Sequence, residues 1–247
     1  MSDAVWRDAS VAAAFSAMRA ARVPQSQTQL AVLLRLLRSQ PLSPRRVLDL
    51  GAGDGVLLVA VLEGFPESTG VAVDFSHEML RRARERLRPL APRAVVVEAD
   101  LGNAGWQGAV GDSFDAVVSG FAIHHLPDAR KRTLYAEIHD LLAPAGVFLN
   151  LEHVASATAR VSAIGDEALI DHQYIARRSA GEDVSRDAVR RDFLTRPDRA
   201  ANILAPVEEQ CAWLRALGFI DVDCFWKYFE LALFGGVRPA ASTAPCS

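Results

Sequence analysis

"VLDLGAGDG", residues 47–55, decides how this chain is read. A short apolar strand pattern, "RVLDL", carries Asp49 near its end and breaks straight into alternate glycines at 51, 53 and 55. Glycines at such a corner permit backbone angles closed to other residues and let main-chain atoms touch a ligand directly. The dinucleotide fingerprint G-x-G-x-x-G fails here, because Val56 occupies the place of its third glycine. Asp49, two residues before Gly51, would face a pyrophosphate on poor electrostatic terms and suits a ligand with an ammonium group instead.

Strand and helix signals alternate on both sides of that corner. Residues 27–39 read as a helix with Leu30, Leu33, Leu34 and Leu37 at helical spacing, stopped by "PLSP". Residues 4–21 read as another, with Trp6, Phe15 and Met18 to pack it across the site or onto the sheet. Beyond the corner, "GVLLVAVLEGF" is a helix and "GVAVD" a strand. "SHEMLRRARERLRPL" is a helix capped by Ser76 with Met79, Ala83 and Leu87 on one face. Then come strand "AVVVEAD", strand "FDAVVSG", helix "DARKRTLYAEIHDLLAP" closed at Pro144, and strand "GVFLNLEHV". Helix "PVEEQCAWLRALGF" precedes two closing strands, "IDVDCFWKYF" and "ELALFGG", whose short connection predicts an antiparallel hairpin. The pattern predicts an α/β fold, a doubly wound sheet covered on both faces. Residues 156–200 break the rhythm: they are helical and charge-rich, and are read as an insertion over the ligand edge.

Composition sets wide bounds. The chain has 247 residues, half of them hydrophobic, with 27 basic and 30 acidic side chains. That near balance supplies no general attraction to nucleic acid or to an anionic membrane. The start lacks the basic and apolar regions of a secretory signal, and "LAVLLRLL" is too short to span a bilayer. The cysteines, 211, 224 and 246, are odd in number and lack metal-ligand spacing, which fits a reducing cytoplasm. A cytoplasmic monomer or homodimer without metal is the expectation.

The strand ends carry the ligand reading. In a doubly wound sheet, ligands sit beyond the carboxyl ends of the strands. Asp74, closing the second strand, can accept hydrogen bonds from both hydroxyls of a ribose. Asp100, read as closing the third, can accept from an exocyclic adenine amine while Leu101 covers the ring. Asp at a strand end is also a common turn former, so Asp100 keeps that second reading. Ammonium, ribose and adenine across three strand ends describe S-adenosyl-L-methionine, SAM.

On these residues the chain resembles the class I SAM-dependent methyltransferases over roughly 45–235. The matching pieces are "VLDLGAGDG", "GVAVDFSHEML", "VEADL", "FDAVVSGFAIHHL" and "LLAPAGVFLN", in the family's order and spacing. The resemblance implies a Rossmann-like seven-stranded, mostly parallel sheet with its last strand inserted antiparallel. It assigns cofactor contacts to Asp49, Gly51, Gly53, Asp74, Phe75, Asp100, Leu101 and the loop beginning at Ser119. It divides the chain into an N-terminal helical cap (1–44), the methyltransferase domain (45–236, with 156–200 as a lid-like insertion) and a flexible tail (237–247). A finer likeness is to small-molecule methyltransferases of the methyltransferase-25 type and to the carboxy-SAM synthases of tRNA wobble-uridine modification. Where those synthases carry Gly-Tyr after a "VP" element, this chain has Gln25-Ser26.

Catalysis points to "IHHL", residues 123–126. A neutral histidine after the fourth strand can take a proton from a hydroxyl or amine, and His124 is the candidate. The alternative is that His124 and His125 only brace the loop. Glu152 and His153 end the fifth strand, and His172 and Tyr174 sit in the insertion. Arg177, Arg178, Arg196 and Arg199 can bind a substrate anion or merely face solvent. The basic run "RRARERLR" is better explained as a solvated helix face than as an RNA surface. The leading reading is methyl transfer from SAM to a small-molecule acceptor. A carboxy-SAM-synthase-like enzyme, a SAM-binding module without turnover and a nucleotide-dependent oxidoreductase are its rivals.

Overall fold

The structure is a computed structural model, and it describes residues 23–240. The helix read over 4–21, and residues 241–247 of the tail, lie outside the described residues. The described chain runs α1 (Ser26–Arg38), β1 (Arg46–Leu50), α2 (Val56–Gly64), β2 (Thr69–Asp74), α3 (His77–Leu87), β3 (Ala94–Glu98) and β4 (Phe114–Gly120). It continues with α4 (Asp128–Leu141), β5 (Leu142–His153), α5 (Ala159–Ser179), α6 (Arg186–Thr195), α7 (Val207–Ala216), β6 (Ile220–Tyr228) and β7 (Leu231–Val237).

The strands form one sheet in the order β3-β2-β1-β4-β5-β7-β6. Pairing is parallel from β3 through β5, and β7 is antiparallel to both β5 and β6. The chain therefore winds outward from β1 to β3 and returns to lay β4 on the other side of β1. That reversal opens a crevice at the carboxyl ends of β1 and β4, where ligands bind in such sheets.

Alternation along the strands builds a core on each face. Leu48, Leu50, Val117, Phe148 and Phe234 pack with Leu134 and Ile138 of α4 and Leu214 of α7. Val47, Ala72, Ala116, Val118 and Leu149 face the other way, onto Leu33 and Leu37 of α1, Leu58 and Leu62 of α2, and Ala83 of α3. A third cluster joins Leu169 and Ile170 of α5 and Val189 and Phe193 of α6 to Leu231 of β7, which anchors the helical segment at the sheet's carboxyl edge. Among the described residues no helix is long and apolar enough to cross a membrane.

Three boundaries differ from the sequence reading. β3 stops at Glu98, so Asp100 lies in the following loop. There its Oδ1 accepts from the Gly102 amide at 2.8 Å. The fourth helix ends at Leu141, and Pro144 falls inside β5. The chain kinks there, with Ala145 at φ +64° and a register shift in the pairing with β4, so the proline costs no ladder of regular bonds. β7 runs to Val237.

The tightest backbone approach in the sheet is at Gly235, where a Cβ would stand 1.9 Å from the Phe148 carbonyl oxygen. Gly235→Ala is expected to destabilise the fold by about 3 kcal/mol, because the obstacle is backbone and cannot rotate away. Thermal unfolding should show a Tm lower by roughly 6–12 °C. An unchanged Tm would contradict this packing.

Candidate active site

The glycine corner is shaped by contact from one side and by a carboxylate from the other. Gly51 has φ +62°, and a Cβ on it would lie 2.2 Å from the Ala122 Cβ. Gly53 has φ +55°, and a Cβ there would meet nothing within 4 Å. That side of Gly53 is open space on the wall of a cleft, where any side chain would intrude on a ligand. Asp74 reaches across from the end of β2: its Oδ2 accepts from the Gly53 amide and its Oδ1 from the Ser76 amide, each at 2.8 Å. Ser76 in turn caps α3, accepting from the Met79 amide at 3.5 Å. Burial pushes the Asp74 carboxyl up, and the amides of Ser76, Gly53 and Phe75 pull it back toward the ionised form. These amides leave part of the carboxylate's lone-pair capacity open, as a ligand diol requires.

The cleft at this corner is walled by Gly51, Gly53, Asp74, Phe75, Asp100 and Leu101, with Phe121 and His125 on its far side. Six of the eight expected cofactor contacts thus share one cleft. Asp49 and Ser119 lie beneath it, fully buried: Asp49 Oδ2 accepts from the Leu58 amide at 3.1 Å, and Ser119 Oγ donates to the Leu50 carbonyl at 2.8 Å. Asp49 ties β1 to α2, and Ser119 ties β4 to β1. Asp100 is occupied as a turn former, accepting from Gly102 and from Asn103 Nδ2 at 3.2 Å, and its carboxylate still borders the cleft.

A second cavity of about 440 Å³ adjoins the first and shares Phe121 and His125 with it. Its walls include His124 and His153, with Leu169, Gln173 and Arg177 from α5, and Phe193 and Arg196 from α6 and its end. This volume suits a small organic molecule. Of the insertion residues singled out in the sequence, His172 and Tyr174 stand away from these walls.

His124 is buried beside Glu152. The imidazole Nδ1 lies 2.5 Å from Glu152 Oε1, and the His124 amide donates to Glu152 Oε2 at 3.0 Å. Glu152 also accepts from the His153 amide at 2.8 Å and from Asn150 Nδ2 at 3.4 Å. Burial drives the Glu152 carboxyl up to about 7, with the His153 amide as the main opposing force. Burial likewise holds His124 well below its usual range, helped by the positive charge of His153, Lys131 and Arg196. With Glu152 ionised, only a donor can face it, so the His124 proton sits on Nδ1 and Nε2 keeps its lone pair. His125 is pushed down to about 3, first by burial and then by His124. Its Nδ1 donates to the Ala201 carbonyl at 3.3 Å.

The sequence named His124 and Glu152 separately and did not join them. The one available signal was a glutamate inside the apolar run "VFLNLEHV", which needs a buried partner. Phe121, which separates the cavities, gave no sequence signal at all.

The methyltransferase domain family matches residues 47–146. The match places a methyltransferase domain there, and the order and pairing of the strands agree with it. A carboxy-S-adenosyl-L-methionine synthase from Nautilia profundicola is 21% identical over 229 residues, 92% of this chain and 92% of that one. An uncharacterized methyltransferase of Mycobacterium tuberculosis is 38% identical over 109 residues, 43% of this chain and 49% of its own. Apart from the synthase, the chain spans about half the length of such curated relatives. An O-methyltransferase family protein from Burkholderia thailandensis superposes with a TM-score of 0.67 at 21% identity, over 95% of this chain and 61% of that one. SAM is the cofactor of such a domain, and the open side of Gly53 and the lone pairs of Asp74 fit it.

Asp74→Ala removes a charged acceptor from the cleft wall. Its affinity for S-adenosylhomocysteine, measured by calorimetry on folded protein, should fall by about 100-fold, the loss of two hydrogen bonds to a charged group. Native affinity in that variant would contradict the cofactor placement.

Proposed function

We propose that this chain transfers a methyl group from SAM to a small-molecule acceptor, with His124 as the general base and Glu152 as its positioning partner. One observation carries the reading: the cofactor cleft and the 440 Å³ cavity meet at Phe121 and His125, with His124 in the wall of the larger space. SAM, when bound, supplies a methyl carbon already activated by its sulfonium, so the difficult chemistry belongs to the cofactor.

The protein then has three tasks. Asp74 and the glycine corner hold the nucleoside side. The apolar wall of Phe121, Leu169, Phe193 and Leu231 excludes water and fixes the acceptor, and alignment of this kind contributes roughly 7–11 kcal/mol in favourable cases. His124 Nε2 accepts the proton of an acceptor hydroxyl or amine as that atom gains its bond to carbon. Glu152 holds the imidazole in the tautomer that makes this possible and stabilises the imidazolium that results.

The state of Glu152 sets the pH response. Its carboxyl is raised to about 7, so it takes up a proton as pH falls through that value. A protonated Glu152 donates to His124 Nδ1 and shifts the ring proton to Nε2, which removes the base. kcat is therefore expected to fall on the acid side of about 7, and Glu152→Gln should abolish that limb while lowering the plateau. His124→Ala should reduce kcat by about 10²–10⁴-fold with unchanged affinity for S-adenosylhomocysteine. An acid limb that survives in Glu152→Gln would remove Glu152 from the mechanism.

The acceptor class is tested by incubating the protein with methyl-labelled SAM and a cell extract. Label should appear in the small-molecule fraction, and label confined to tRNA or protein would overturn this reading.

A further inference from the structure

The helical segment brings four arginines near the larger cavity, and the structure separates them by how their charge is compensated. Arg177 is held twice, by Glu182 at 2.7 Å and by Asp192 at 2.9 Å. Arg199 is gripped by both oxygens of Asp166, at 3.1 and 2.7 Å. Arg178 pairs with Asp183 at 3.0 Å and is not part of the wall.

Arg196 differs. Its Nη1 donates to the Phe193 carbonyl at 3.2 Å, and its Nε stands 3.3 Å from Asp198. Its Nη2 meets no acceptor among the described residues. The guanidinium lies over the Phe193 ring, 4.1 Å from the centroid, and the side chain is only 21% exposed. Burial lowers its pKa, the mark of a cation that water does not fully solvate. It is close enough to His124 to repel that ring's proton.

The other charges of the wall are engaged. Glu182 and Asp192 both serve Arg177, and Asp198 faces Arg196 at Nε. His124 and His125 are neutral, and His153 Nε2 is turned to Glu230 at 3.2 Å. Arg177 carries two carboxylates, whereas the part-buried Arg196 has one, at Nε, and its Nη2 is left without an acceptor among the described residues. A planar fork of this kind is matched by a pair of anionic oxygens. With Arg177 flanked by two carboxylates, a dianion would meet more repulsion than a monoanion, which favours a carboxylate over a phosphate.

We propose that the acceptor is a small carboxylic acid with an apolar body, and that Arg196 binds its carboxylate while His124 faces the reacting atom. This rests on the methyltransferase reading above and names its substrate class.

The test uses the full chain loaded with S-adenosylhomocysteine. Monocarboxylates from acetate to cinnamate are titrated by calorimetry, each beside its primary amide. At least one carboxylate is expected to bind about tenfold more tightly than its amide. That preference should vanish in Arg196→Met, shrink in Arg196→Lys, which keeps the charge without the fork, and persist in Arg199→Met. Equal affinities across the set, no binding by any member, or a preference that survives in Arg196→Met would overturn the proposal. Affinity for S-adenosylhomocysteine, measured first, keeps the two levels apart. Its absence in the unaltered chain would sink the methyltransferase reading, whereas its presence without carboxylate preference would sink only the role of Arg196.

Discussion

One carboxylate organises the cofactor side of this molecule. Asp74 closes β2, accepts from the Gly53 amide of the β1–α2 turn and from the Ser76 amide at the start of α3, and so fixes three chain segments at one point. Hydrogen bonds to a charged acceptor each contribute about 1.5–3 kcal/mol, enough to hold a turn whose glycines would otherwise range over many backbone states. The same bonds keep a largely buried acid able to ionise. A cleft built this way is formed before any ligand arrives, and affinity is not spent on ordering the loop.

The acceptor side rests on a different constraint, the cost of burying polar groups. Glu152, Asn150, Tyr135 and Lys131 are all buried. Each has a partner: Tyr135 donates to Gln210 at 2.6 Å, and Lys131 donates to Asp128 at 2.7 Å and to the Ile203 carbonyl. An apolar core would have been simpler and no less stable. What the polar set supplies is a dry imidazole of fixed tautomer at the edge of a cavity. The helical segment then completes that cavity by lending Phe193 and Arg196, residues about 70 positions away from His124 in the chain.

Much of the scaffold was legible in the chain itself. β1 and β4 fall on the strands read from "RVLDL" and "FDAVVSG", and the closing hairpin pairs as its short connection required. These elements are short, apolar and bounded by clear breakers, so local pattern and tertiary packing agree. The reading drifted where they do not. Pro144 looked like a helix stop, yet the helix had already ended at Leu141 because the chain there pairs with β4. Asp100 looked like a strand end and serves a turn, since the ladder with β2 runs out at Glu98.

The sequence by itself determined the strand-and-helix order, the glycine corner with Asp74 beside it, and the short list of polar residues at the strand ends. Those are consequences of spacing along one chain, where periodicity and backbone chemistry act over a few residues. Only the tertiary structure decided which of the listed groups meet: that Glu152 holds His124, that Asp49 and Ser119 lie under the cleft, and that Arg177 is held by two carboxylates while Arg196 has one. The His124–Glu152 contact joins residues 28 positions apart, and no local pattern encodes it.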